Sequence, residues 1–387
     1  MNDRIDDIEL LRGFAVLLVV VHHAQANLIT WTSPALAHFY HYFGGWVGVD
    51  LFFAVSGFVI ARSLVPLLRS QPDNAAAWRA TLGFWVRRAW RLLPSAWLWL
   101  LLILLACVAF NSSGVFGSLK ANLEATVAAV LQVANIRFAE VFMQREYGSS
   151  FVYWSLALEE QFYLLFPLLI LFSRRWLPYV LLGLVALQLF SPRSVMLMMF
   201  RTDALALGVL IALWSARPSY RLLQPVLLAR RWLGVGVLLV LLLGLCVLGS
   251  EPLTLFSMRI GMIALLSAAL VWMASYNRDY LWPEGAFKRL MTWLGTRSYA
   301  IYLIHIPAFL FTREFYYRLY PQQGEFGESF FYPLVFTAAL LILLLSELNY
   351  RLIECPLRER GKHIARRLFA QPEHAVRMDV PAPVHTP

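Results

Sequence analysis

Ile8-Glu9-Leu10-Leu11-Arg12-Gly13-Phe14-Ala15, continuing through Val21 to His22-His23, is the first hydrophobic run of the chain. Its length suits a membrane span, yet it carries an arginine and two histidines. Titratable groups in hydrocarbon are costly and need partners, so they are functional candidates by default. Arg12 and His23 are separated by about three helical turns of ~3.6 residues, which puts them on one face, about 16 Å apart along the axis. His22 is turned about 100° away. One stripe therefore joins a cation near one interface to an acid/base group deeper in the bilayer. A snorkelling arginine and a hydrogen-bonded core histidine would leave the same trace, so the run alone leaves both readings open.

Apolar runs like this one recur along all 387 residues, of which 60% are hydrophobic and only 14% charged. The mean hydropathy is +0.62. That balance excludes an ordinary soluble domain and makes lipid the solvent. The length leaves no room for a large soluble domain. In a membrane protein the net charge of +10 records topology and does not argue for nucleic acid. Cys107, Cys246 and Cys355 are scattered, suggesting neither a disulfide framework nor a metal site. There is no Walker-type loop, zinc spacing or heptad array. Ala24-Gln25-Ala26 resembles a cleavage site, but Asp3, Asp6, Asp7 and Glu9 outweigh Arg4 and Arg12 where a signal peptide needs a positive start. An uncleaved span is expected.

The expected fold is all-α: a bundle of about ten transmembrane helices, near 8–29, 45–65, 92–110, 151–172, 176–191, 197–215, 232–249, 256–274, 294–313 and 332–353. The fifth is short enough to be tilted or re-entrant. Leu119 to Phe138 suggests an additional surface helix. Residues 1–360 form one transmembrane domain, and 361–387 read as a disordered cytoplasmic tail. One set of loops holds Arg69, Arg79, Arg87, Arg88, Arg91, Arg174, Arg175, Arg217, Arg221, Arg230, Arg231, Arg278, Lys288 and Arg289, whereas the opposite set holds few basic residues. The alternation places both termini in the cytoplasm.

Several ionisable groups share the middle-to-outer layer: His23, Asp50, Glu159, Glu160, Arg201, Asp203 and His305. A cluster can pair and line a wet cavity where a lone charge could not. Some have plain readings. Arg201 and Asp203 would satisfy each other, Ser56 would pack between helices, and His305 would be a satisfied core histidine. Adjacent Glu159 and Glu160 point about 100° apart. At the cytoplasmic face, Arg88 and Arg91 share a helix face and suit phosphate oxygens, although positive-inside anchoring reads the same. Arg351 and Glu354 suggest a further pair.

These pieces together resemble the acyltransferase-3 family of membrane O-acyltransferases over residues 8 to about 360. They are Arg12-Gly13-Phe14-Ala15 with His23, Gly48-Val49-Asp50-Leu51-Phe52-Phe53 with Ser56-Gly57-Phe58, and Arg88-Ala89-Trp90-Arg91 before Pro94. Then come Trp154-Ser155-Leu156 with Glu159-Glu160-Gln161-Phe162-Tyr163, Arg201-Thr202-Asp203 with Gly208, Ser298-Tyr299 with Tyr302-Leu303-Ile304-His305, and Glu354-Cys355-Pro356-Leu357. Cys355 stands where an arginine or lysine is common, and His22 where an aromatic often stands. Some members carry an SGNH-type domain after the spans; this chain is expected to be of the stand-alone kind.

The resemblance implies transfer of an acyl group, usually acetyl, from cytoplasmic acyl-CoA to a hydroxyl of a carbohydrate, such as a cell-surface polysaccharide or its lipid-linked precursor, at a bacterial inner membrane. Acetyl-CoA is then the donor, with no metal and no nucleic acid. Arg12, Arg88 and Arg91 are the donor-binding candidates. His23 is the base or a transient acyl acceptor, with Glu160, or alternatively Glu159, fixing its tautomer, and Asp50 completes the catalytic set. Ser56, Trp154, Arg201, Tyr302 and His305 are substrate-binding candidates. A polytopic transporter or flippase for a glycan or small solute is the alternative, against which stand the absence of an evident inverted repeat and the arginine cluster. A membrane scaffold would leave the buried carboxylates unexplained. The topology is directly testable: a reporter fused after Pro387 should be cytoplasmic and one inserted near Gly117 outside. Termini on opposite sides would remove the depth assignment.

Overall fold

Hydrocarbon leaves a backbone few options, and this chain takes the helical one. The structure, a computed structural model, describes residues 4–191, 193–256, 258–323 and 326–369. In order the helices are α1 (Asp6–Asn27), α2 (Pro34–Tyr42), α3 (Gly48–Arg69), α4 (Asn74–Ala109), α5 (Leu119–Val130), α6 (Ala134–Val141), α7 (Tyr153–Ser173), α8 (Leu177–Phe190) and α9 (Val195–Met199). They continue with α10 (Asp203–Ser215), α11 (Pro218–Leu222), α12 (Arg231–Leu248), α13 (Arg259–Ser275), α14 (Ala286–Thr296), α15 (Ser298–Leu319), α16 (Phe331–Asn349) and α17 (Cys355–Phe369). Among the described residues there is no strand, only an isolated bridge between Gln25 and Ile29.

Five helical stretches are long and apolar enough to cross a membrane: Pro34–Arg69, Asn74–Ala109, Tyr153–Leu189, Val195–Ser215 and Glu328–Phe369. The protein is thus a multi-pass helical membrane protein, with five stretches meeting that requirement where the hydropathy pattern suggested ten. The difference has physical causes. Trp232–Leu248 and Arg259–Ser275 are apolar but shorter; at ~1.5 Å per residue, about 17 residues sit at the low end of what crosses a ~30 Å hydrocarbon core. Helices α1 and α15 stand outside the five; both carry polar groups, and α15 is buried along most of its length.

Several segments depart from the simple pattern. The sixth run is broken: α9 ends at Met199 and α10 begins at Asp203, because Arg201 between them is drawn sideways into an ion pair. The Gln188 side-chain oxygen takes the backbone N–H groups of Thr202 and Asp203. The stretch read as one surface helix from 119 to 138 is two helices, interrupted at Gln132 with φ 58°. It is also partly interior, with Asn122 and Arg137 buried. Helix α17 continues past residue 360 to Phe369, and the rest of the expected tail, 370–387, lies outside the described residues.

The bundle is drawn together by close approaches of backbone. Helix α1 packs on α14, α3 and α15, and α3 packs on α10. A Cβ on Gly57 would lie 2.1 Å from the Leu205 carbonyl oxygen, and one on Gly208 would lie 2.1 Å from that of Ala54. Helices α3 and α10 thus cross at backbone contact, as small residues permit in membranes. Gly13 does the same for α1 against α14, where a Cβ would meet the Met291 carbonyl oxygen at 2.3 Å. These glycines lie next to Arg12 and Ser56 in sequence and set the positions of both.

Polar groups also fasten the bundle. Lys288 is 2% exposed and pairs with Asp7 at 2.8 Å, and with Asp279 and Glu284. The pattern of basic loops read it as a topological anchor; in the structure it ties the start of α1 to α14. At the opposite end the buried carboxylate of Glu314 accepts from the Ser112 and Ser113 backbone N–H groups and from Arg318, which pins the loop after α4 to α15.

Candidate functional site

Helix α1 is regular as far as His23 and then breaks. Gln25 is extended (ψ 133°) and Ala26 has φ 65°, a left-handed conformation that costs a non-glycine residue about 1 kcal/mol or more. The break frees carbonyls, and the Asn27 side-chain amide donates to that of His23 at 2.9 Å. His23 therefore stands on the last regular turn, with its backbone held from below and capped from above.

Its ring meets His305 of α15. His23 Nδ1 lies 2.9 Å from His305 Nε2, and the rings stack with centroids 5.2 Å apart. His305 is fully buried, and its Nδ1 faces the Ile301 carbonyl oxygen at 3.2 Å. A carbonyl only accepts, so His305 Nδ1 carries the proton and its Nε2 is a lone pair. That lone pair in turn requires His23 Nδ1 to donate. The remaining nitrogen, His23 Nε2, is left as an acceptor. The orienting group of His23 is thus a second histidine, where a carboxylate from Glu160 or Glu159 was expected. His22 lies beside His23 with ring centroids 5.5 Å apart, but its Nδ1 has no hydrogen-bond partner.

The two glutamates are one layer away. Glu159 accepts from the Ser56 hydroxyl and from the Tyr163 hydroxyl, the latter at 2.6 Å. Ser56, read as a packing serine, is therefore a carboxylate ligand across the α3–α7 contact. Glu160 lines a small internal space with Glu159, Tyr153 and Tyr299 and lies within electrostatic reach of Arg88 and Arg91. Tyr302, one turn before His305, bonds the Ser155 hydroxyl at 2.6 Å and donates to the Val152 carbonyl.

Asp50 and Arg201 form a bidentate pair, at 2.8 Å and 3.1 Å, that is 0–2% exposed. Both carboxylate oxygens of Asp50 are thereby engaged, and the guanidinium also lies over the rings of Trp154 at 4.7 Å and Trp46 at 5.4 Å. Arg201 and Asp203 do not satisfy each other as expected: Asp203 pairs with Arg193 at 2.5 Å. The two residues diverge because the break before α10 sends the Arg201 side chain toward α3. In the same way Arg351 pairs with Glu347, while Glu354 accepts from Asn349 at 3.0 Å.

Arg12, Arg88 and Arg91 gather near Glu354 at the arginine-rich end of the bundle. Arg88 lies over the Tyr163 ring at 4.8 Å. Arg12 has only a loose contact with Glu9, at 3.7 Å. No carboxylate among the described residues is within ion-pair distance of Arg88 or Arg91. Beyond His23, at the other end, a cavity of 300 Å³ is lined by Asn27, Phe151, Phe138, Glu146 and Ser149. Asn27 caps the His23 carbonyl and Phe151 meets the His23 ring edge-on, so these two residues link the cavity to His23, which does not itself line it. Among the described residues no group of three or more His, Cys, Asp or Glu side chains is placed to hold a metal ion.

The fold and this layered site define a multi-pass helical membrane protein with an internal histidine pair between an arginine cluster and an open cavity. The acyltransferase-3 family profile, described as an acyltransferase domain, matches residues 5–348, and the chain belongs to that family. It is 30% identical to YrhL of Bacillus subtilis (strain 168), with 93% of this chain and 56% of that protein covered. It is 26% identical to the O-acetyltransferase OatA of Staphylococcus aureus (strain NCTC 8325 / PS 47), with 91% and 57% covered. It is 28% identical to the peptidoglycan O-acetyltransferase OatA of Listeria monocytogenes serovar 1/2a, with 92% and 56% covered. The chain spans a little over half the length of these relatives. No solved structure gives a significant match.

The Asp50–Arg201 pair generates a stability prediction. Asp50→Ala leaves a buried guanidinium uncompensated and should cost about 3–5 kcal/mol, read as a lower thermal midpoint and poor recovery in detergent. Asp203→Ala should spare Arg201. Equal stability of Asp50→Ala and the wild type would show that the pair is not holding α10 to α3.

Proposed function

We propose that the protein is a membrane O-acyltransferase that moves an acyl group, most simply acetyl, from acyl-CoA on the cytoplasmic side to a hydroxyl of a carbohydrate on the outer side of a bacterial inner membrane. Peptidoglycan is the acceptor in the names of two relatives and is the acceptor class we assign. Both chain termini are taken as cytoplasmic. The observation that carries the reading is the order of groups along the bundle: weakly partnered arginines at one end, then Glu159 and Glu160, then the His23–His305 pair, then the cavity lined by Asn27 and Phe151.

Each layer has a task. Arg12, Arg88 and Arg91 hold the donor phosphates, since planar guanidinium forks match phosphate oxygens. The thioester end of the donor then extends along the Arg12–His23 stripe. The acceptor hydroxyl enters through the cavity at Asn27 and Phe151. His23 Nε2 takes its proton as the hydroxyl oxygen attacks the thioester carbonyl carbon. Collapse breaks the carbon–sulfur bond, the acyl group stays on the acceptor oxygen, and the imidazolium proton goes to the leaving thiolate. His305 holds the imidazole in the required tautomer from its buried side, a task assigned to a carboxylate in serine-protease triads. Asp50 acts as a positioning residue, because its oxygens are taken by Arg201; Trp154 and Arg201 form the wall beside the path. Glu160 supplies a counter-charge within reach of Arg88 and Arg91.

The test separates donor binding from transfer. His23→Ala should reduce acyl transfer by about 10²–10⁴ while acetyl-CoA binding to purified protein stays near that of the wild type. Arg88→Ala/Arg91→Ala should instead weaken acetyl-CoA binding, at about 1.5–3 kcal/mol per charge-assisted contact, with lysine restoring only part. His22→Ala should be far milder than His23→Ala. A dead His22→Ala beside an active His23→Ala would overturn the site, and unchanged donor affinity in the folded double arginine variant would return that cluster to anchoring.

A further inference from the structure

A second cavity is larger than the one lined by Asn27 and Phe151. It measures 1290 Å³ and lies at the arginine-rich end, among the ends of α3, α7 and α10 and the starts of α4 and α8. Two kinds of wall enclose it. One is cationic: Arg69, Arg174, Arg175 and Arg217 all line it. The other is apolar, with Leu171, Leu210 and Leu213 among its residues. The site proposed for transfer uses none of them.

Ordinary positive-inside anchoring spreads basic residues over loops. Here four converge from three separate connections, and none of the four is within ion-pair distance of a carboxylate among the described residues. Asp73 is the acidic residue in the wall, and its carboxylate is occupied in capping α4 through the Ala76 N–H at 2.7 Å. The backbone itself is bent to make the cluster. Arg174 has φ 46° and ψ −113°, a conformation that glycine takes freely and other residues take at a cost. That bend presents the Arg174 carbonyl to Arg69 Nη2 at 3.1 Å and so ties the end of α3 to the end of α7. A charged residue stands where glycine would be easier.

Cations and aliphatic wall in one cavity suit a ligand with an anionic head and a hydrocarbon chain. We propose that this cavity is a binding site for an anionic phospholipid, its phosphate held by Arg69, Arg174, Arg175 and Arg217 and an acyl chain laid along Leu171, Leu210 and Leu213. The apolar wall favours a lipid over a free phosphate, which would leave those leucines facing water. The site is separate from the donor cluster: Arg88 is ten residues further along α4 than Trp78, which lines the cavity, about 15 Å by helical rise.

The test is native mass spectrometry and thermal unfolding of the full-length protein with phosphatidylglycerol, against phosphatidylcholine and inorganic phosphate. Phosphatidylglycerol should be retained and should raise the thermal midpoint; the other two should not. Arg175→Ala/Arg217→Ala is the variant of choice, because among the described residues neither guanidinium makes a hydrogen bond, Arg175 lying only over the Trp176 ring. It should lower phosphatidylglycerol affinity by roughly tenfold or more per lost charge contact, with acetyl-CoA binding unchanged. Arg230→Ala/Arg278→Ala, which removes two exposed arginines from the same set of loops, should leave it unchanged. Equal loss in that control would reduce the effect to diffuse surface charge, and equal retention of phosphatidylcholine would remove the role of the arginines. Competition by inorganic phosphate as strong as by lipid would overturn the lipid assignment. A loss of acetyl-CoA binding in Arg175→Ala/Arg217→Ala would make the cavity part of the donor site.

Discussion

A charge or hydrogen-bonding group at membrane depth has to find its partner inside the protein, because lipid supplies none. This constraint orders the whole molecule. Arg201 is drawn onto Asp50, and the chain breaks before α10 to let it. Asp203 is then left for Arg193. Lys288 gathers Asp7 at the start of α1, and Glu314 gathers the loop after α4 at the other end. Once these pairs are made, the groups without strong partners are conspicuous. Among them, in the described residues, are Arg88, Arg91 and the loosely held Arg12 at one end, and the free nitrogen of His23 further along. The paired groups hold the bundle together; the others are those to which the proposed function assigns the ligands.

The histidine pair illustrates how a low-dielectric bundle can fix a tautomer without a charge. A carboxylate beside His23 would carry its own desolvation cost. A neutral imidazole whose far nitrogen is committed to the Ile301 carbonyl oxygen does the same directional work, since each ring nitrogen dictates the role of the next. The backbone break at Gln25 and Ala26 falls between His23 and Asn27, which lines the cavity beyond it.

Much of this was legible in the sequence, and the reasons are local. The Arg12–His23 stripe could be read because α1 is regular between them. The family resemblance could be read because its motifs are short and ordered along the chain, and Gly57 and Gly208 within them mark where α3 and α10 touch. What could not be read is pairing at a distance. His23 and His305 are 282 residues apart, Asp50 and Arg201 are 151 apart, and several carboxylates competed for each cation. Proximity in sequence suggested Arg201 with Asp203 and Arg351 with Glu354, and packing chose otherwise. Length and apolarity alone single out five stretches among the described residues, where hydropathy suggested about ten spans, because polar groups in α1 and α15 and the shorter length of α12 and α13 keep those helices outside that requirement.

The proposed transfer runs along a path with two ends: donor at the arginines, acceptor at His23. Sealed vesicles of known orientation, holding the protein and a peptidoglycan fragment on one side with labelled acetyl-CoA on the other, measure this directly. Label should reach the acceptor only when acetyl-CoA is on the side of Arg88 and Arg91 and the acceptor on the side of Asn27. Equal labelling with donor and acceptor confined to the same side would contradict the account.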